Sequence, residues 1–164
     1  MTGEALYQFL YGWVSGIVGS SVPVVRAYQN VAKPANYYLA IEDDQSWTPF
    51  GREDVVQGDT SSVVRHDYTV KPVIWEINRS DRSGYGDALR ALRESLGTRT
   101  TKDLFFTAEI GILSVGQILT MPWTSTETEV VRQKRMELRL SVGSDIADTV
   151  QAIATAELVN QIGE

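Results

Sequence analysis

One stretch constrains the fold more than any other: Tyr68 to Leu96. Its first part, Tyr68-Thr-Val-Lys-Pro-Val-Ile-Trp-Glu-Ile77, is rich in β-branched and aromatic residues and reads as a strand. Alternation puts Tyr68, Val70, Pro72 and Ile74 on one face and Val73, Trp75 and Ile77 on the other. Two apolar faces predict a strand inside a sheet, covered on both sides. Pro72 has no N–H for a ladder, so it is expected to mark a bulge or the end of the well-paired part. Asn78-Arg-Ser-Asp-Arg-Ser-Gly84 then supplies turn residues. Ala88, Leu89, Leu92 and Leu96 recur at helical spacing, with Ser83 or Asp87 as cap and Gly97 as stop. A buried strand feeding a helix that lies back on its sheet is the nucleus of an α+β or α/β sandwich.

The remaining elements are read around this nucleus, as a single domain over residues 1–164. Thr2 or Gly3 starts a helix whose stripe is Leu6, Phe9, Leu10, Trp13, Val14 and Ile17. Gly12 and Gly16 weaken that helix and are expected to let a neighbour approach closely. Val22 to Ala27 and Tyr37 to Ile41 read as strands. Residues 44–62 read as a long arm or loose hairpin, and residues 114–130 as a second arm, with a loop from Met121 to Thr128. Between them, Lys102 to Glu109 is short and mixed, with Leu104, Phe105 and Phe106 expected to be largely buried. Val130 to Val142 alternates most cleanly: Met136, Leu138, Leu140 and Val142 against Arg135, Glu137, Arg139 and Ser141. Gly143-Ser144-Asp145 is expected to turn it. Asp148 to Val159 fits a helix or a strand, with the strand preferred. The fold class expected is α+β: a mixed, mainly antiparallel sheet backed by an N-terminal and a central helix, with long extended arms.

Chemistry is sparse. The absence of cysteine excludes disulfides, thiolate metal sites and a cysteine nucleophile, and the single His66 excludes a site built on several imidazoles. A net charge of -6 does not favour general nucleic-acid binding. Leu6 to Val18 lacks a basic flank and is too short to span a bilayer, so no membrane or targeting role is expected. Glu42-Asp43-Asp44 has the oxygen chemistry to bind a hard cation, but a solvated strand end is the commoner fate of such a run. His66 and Asp67, as strand neighbours, point to opposite faces. No nucleophile elbow and no phosphate-cradling glycine loop occur; Gly111 to Gly116 is followed by Gln117 and Ile118. No cofactor, metal or catalytic group is predicted. Six residues stand out as candidate subunit or partner contacts. Trp47, Phe50 and Trp123 are aromatics in irregular segments, serving either as core lids or as interface anchors. Arg132, Lys134 and Arg135 form a short basic run, read either as a solvated face or as a contact to an acidic partner.

The order of features resembles the phage tail terminator or neck proteins of long-tailed phages. The matching features are the N-terminal helix, Val24-Val25-Arg26-Ala-Tyr-Gln-Asn30 with Pro34 and the strand Tyr37 to Ile41, Val73-Ile-Trp-Glu-Ile77, Tyr85-Gly-Asp-Ala88-Leu89, and Arg135-Met-Glu-Leu-Arg-Leu140. The polar insert Arg79 to Ser83 departs from the pattern. The resemblance implies a non-enzymatic virion protein, assembled in the host cytoplasm. It would cap the tail tube as a ring, usually of six copies, at the head–tail junction. Implied partners are further copies, the tail tube protein, the head–tail connector or adaptor and the sheath protein, with genomic DNA passing through the lumen. Two alternatives are another head–tail adaptor, and a small-ligand or enzymatic domain using His66, Asp67 and Glu76.

Overall fold

The computed structural model describes residues 1–29, 32–43, 46–49, 54–57, 62–79, 87–126 and 129–148. In chain order the elements are α1 (Gly3–Val18), β1 (Val24–Arg26), β2 (Tyr37–Glu42), β3 (Thr48–Pro49), β4 (Asp54–Gln57), β5 (Ser62–Val70), β6 (Val73–Asn78), α2 (Ala88–Ser95), α3 (Arg99–Thr107), β7 (Ile110–Val115), β8 (Leu119–Thr126) and β9 (Glu129–Asp148). The fold is α+β, with a mixed, mostly antiparallel sheet and helices packed against it.

The axis of the sheet is β9. On one flank, β5 and β6 pair with it antiparallel, from Ser62↔Asp148 to Val70↔Leu140 and from Val73↔Glu137 to Asn78↔Arg132. The register is the same on both sides of Lys71-Pro72. Pro72 sits inside the ladder: its carbonyl accepts from Leu138 N–H at 2.9 Å, and only its own donation is missing. It is therefore not a bulge, and it marks the break between β5, which ends at Val70, and β6, which begins at Val73. On the other flank β7 and β8 pair with β9, and the register slips by one residue between Ile112 and Ser114, between Val115 and Leu119, and between Met121 and Thr124. Outside β6 lies β2, antiparallel, and outside that β1, parallel. Outside β5 lie β3 and β4, which make a hairpin with β5 of the segment read as an arm.

One face carries the core. Leu39, Ile41, Val70, Ile74, Met136, Leu138, Leu140 and Val142 meet Leu6, Leu10, Trp13 and Val14 of α1, Leu89 and Leu92 of α2 and Phe105 of α3. Helix α1 opens on Thr2, whose hydroxyl accepts from Ala5 N–H. Helix α2 has no side-chain cap from Asp87. Its free N-terminus is met instead by Glu76 of β6, buried on the core face, which accepts from Leu89 N–H at 3.2 Å. Tyr37 also bonds Glu76, and burial followed by that carboxylate pushes its phenol up from the ordinary value. A glutamate among apolar strand residues is thus a helix cap supplied from the sheet.

Several expectations are corrected. The sheet's second face is not fully covered: Val73, Trp75 and Ile77 are half-buried. Lys102 to Glu109 belongs largely to α3, opened by Thr98. Consecutive helical residues point about 100° apart, so only Phe105 goes inward, while Leu104 and Phe106 are exposed. Leu119 to Thr126 is strand β8 and not a loop. Gly143-Ser144-Asp145 does not turn β9, because β5 keeps pairing with it to Asp148. Among the described residues nothing lies within 4 Å of a Cβ built on Gly12 or Gly16, so none of them makes the close approach expected there. Tyr85, Ser83 and most of Asp148 to Val159 lie outside the described residues, and Asp148 ends β9.

Candidate functional site

The face of the sheet away from the helices carries a cleft of about 260 Å³ at the β1–β2–β6 end. Strand alternation builds it. Tyr38 and Ala40 alternate with the core residues Leu39 and Ile41, so they face the other way, yet they are buried and form the floor. Trp75 and Ile77 of β6, in register with Ala40 and Tyr38, form the wall. Tyr28 forms the rim, with Lys33 and Gln133 completing the lining.

Glu42 fixes this arrangement. One of its carboxylate oxygens accepts from Trp75 Nε1 at 2.7 Å and the other from the Tyr28 hydroxyl at 3.2 Å. The Glu42 charge holds the Tyr28 phenol above its ordinary value. Tyr28 has φ 62°, a left-handed conformation that costs a residue with Cβ free energy, and its side chain is 84% exposed. The Arg135 guanidinium lies 5.9 Å from the Trp75 ring centre.

Behind the cleft, Arg26 pins β1 to its surroundings. Its guanidinium grips Asp43 through two donors, one at 2.9 Å, reaches Glu4 of α1 at 2.7 Å, and stands 4.4 Å from the Tyr7 ring centre. Arg26 holds the Asp43 carboxyl below its ordinary range, against the opposing effect of burial. In the run Glu42-Asp43-Asp44, the first two residues are thus engaged with Trp75, Tyr28 and Arg26; Asp44 lies outside the described residues.

The sequence model of one protein family, described as phage neck terminator protein, matches residues 4–164. The chain belongs to the phage neck terminator family. No curated protein matches it. Membership gives this chain a structural role in the phage neck or tail and a virion location, in line with the resemblance seen in the sequence.

The residues singled out in the sequence do not converge. Trp47 is half-buried and packs edge-on against Tyr68, with ring centres 5.5 Å apart. Phe50 lies outside the described residues, and so does the side chain of Trp123, whose backbone belongs to β8. The basic run is divided by strand alternation: Arg132 and Lys134 share the helix-side face with Met136, opposite Asn78 and Glu76, while Arg135 reaches Trp75 on the other face. The enzymatic alternative fares no better. Asp67 lies beside Arg65, 3.7 Å from its Nε, and His66 stacks obliquely near Tyr68. Glu76 lies ten residues along the same ribbon from His66, roughly 30 Å at strand rise, and is committed to α2. Sequence reasoning missed Tyr28, Glu42 and Trp75 as a unit. Trp75 and Glu42 were visible as a polar-tipped aromatic and a strand-end acid, but their pairing depends on the β2–β6 register.

Proposed function

We propose that copies of this chain close a ring, six in number by the family resemblance, that caps the tail tube and joins it to the head connector. The family match over residues 4–164 carries the reading. The shape of the sheet supports it. Its two ends differ: a cleft beside short, parallel β1 at one, and the α3–β7 corner with exposed Phe106 at the other. Unlike surfaces at opposite ends suit a head-to-tail contact, the type that closes rings. The net charge of -6 suits a lumen along which DNA phosphates slide without sticking.

The test is to produce virions without this chain. The expected result is filled heads and uncapped tails that stay separate and join when purified protein is added. Normal joining without it, or its absence from purified virions, would overturn the reading. A map showing a basic channel lining would remove the lumen argument alone.

A further inference from the structure

Two stretches of the chain bear on how copies meet. The first is the outer side of β7 and β8. No strand lies beyond it among the described residues, and Leu113 and Leu119 stand there 42% and 44% exposed. The second is residues 149–164, which follow β9 and lie outside the described residues. We infer that residues 149–164 of one copy add as a strand to the β7–β8 edge of the next, and that this pairing propagates the ring. The inference rests on the ring reading above and names the surfaces that would form it.

Position comes first. Strand β7 begins at Ile110, opposite Val142, whereas β9 continues alongside β5 to Asp148. Those further residues carry the chain about 20 Å past the start of β7. A tail returning to its own edge would use about six residues to retrace that distance before it met Ile110. A tail continuing outward has 16 residues, which reach up to about 50 Å when extended, enough to lie along another copy. Tail and edge are different surfaces, so each copy can give to one neighbour and take from the other, the arrangement that closes rings.

Composition comes second. Glu157 is the one charged residue from Thr149 to Gly163, and Ile153, Thr155 and Val159 recur at the alternate positions that suit a strand. Ile110 to Thr126 carries no charged residue at all. Laying one against the other pairs main-chain donors with acceptors, the mode by which extended segments join exposed sheet edges, and it brings a single carboxylate to the contact. The edge is also selective. Register slips and Pro122 spoil it for an arbitrary strand, as natural edge guards do. Yet it lacks the lysine or glutamate that would turn every strand away. Such an edge resists chance pairing and stays open to a dedicated partner.

The experiment uses two full-length variants. Ala154→Pro with Thr155→Pro removes backbone donors from the tail, and Leu113→Lys with Leu119→Lys puts charge on the edge at exposed positions. Wild-type chain, each variant and their equal mixture are followed by native mass spectrometry and electron microscopy. Loss of the added strand's hydrogen bonds is expected to weaken self-association on the order of a hundredfold, so neither variant should form rings alone. Their mixture keeps one intact contact per pair: the tail of the lysine variant on the edge of the proline variant. It should give heterodimers and nothing larger. Leu119→Lys alone replaces the double lysine variant if that one unfolds. Rings from either variant alone, or a mixture that stays monomeric while the wild-type chain forms rings, would overturn the inference. A wild-type chain that forms no ring, alone or on purified tail tubes, brings down the ring reading itself, which separates the two failures.

Discussion

Strand β9 is flanked by two ribbons: Ser62 to Asn78 pairs with it at one constant register, and Ile110 to Thr126 with three slips. The first ribbon cannot slip. A shift by one residue would turn Val70, Ile74 and Glu76 away from the helices and bring Trp75 and Lys71 inward. It tolerates even Pro72 because the proline only has to accept. The second ribbon has no charged residue from Ile110 to Thr126 and has no strand beyond it among the described residues. Natural edges are guarded by charge, proline or bulges; here Pro122 and the register slips within β7 and β8 stand in for charge. One flank is thus organised by burial and the other by the need to avoid pairing with the wrong chain.

That contrast can be tested from its strongest element down. Leu140 is fully buried where β9 meets Val70 on one side and Ile112 on the other. Leu140→Ala is expected to cost about 3 kcal/mol in urea unfolding; a cost near zero would mean that β9 is not the shared axis. Glu76→Ala removes the cap of α2 and a partner of Tyr37, and about 2 kcal/mol should be lost. If the register of the regular flank did not place Glu76 at that helix, the change would be nearly silent.

Asp43→Asn tests the ion pair behind the cleft, with about 1.5 kcal/mol lost at neutral pH. Because Arg26 depresses the Asp43 carboxyl, its contribution is present above the ordinary value of 3.8 and disappears as pH falls through the lower folded value. The gap between wild-type and variant stability should therefore hold from pH 7 down to pH 5 and close below about pH 4; a gap that widened in acid would reverse the assignment. On the bulged flank, a Cβ on Gly116 would stand 3.0 Å from the Glu137 carbonyl oxygen, while one on Gly12 meets nothing. Gly116→Ala should lower the melting temperature by a few degrees, and Gly12→Ala should raise it by a similar amount, each reflecting about 1 kcal/mol. The smallest effect belongs to Leu119→Ser, exposed on β8: within about 0.5 kcal/mol.

What the sequence made legible follows the same division. Elements set by local period were readable: α1 with its Thr2 cap, the strand Tyr37 to Ile41, the alternation around Met136 to Val142, and the α+β class. Elements set by pairing were not. Leu119 to Thr126 lacks a clean period because bulges reset the alternation, so it reads as a loop until β9 is laid beside it. Gly143-Ser144-Asp145 has turn composition, and only pairing with Arg65 to Asp67 keeps it extended. Of the cleft, single residues were visible but not their meeting, because Tyr28, Glu42 and Trp75 come from three separate parts of the chain.

The most direct test of the whole account is an electron cryo-microscopy map of the intact neck. The account predicts a closed ring at the top of the tail tube in which each copy meets its two neighbours through two different surfaces. A neck without this chain, or copies meeting through the same surface on both partners, would contradict it.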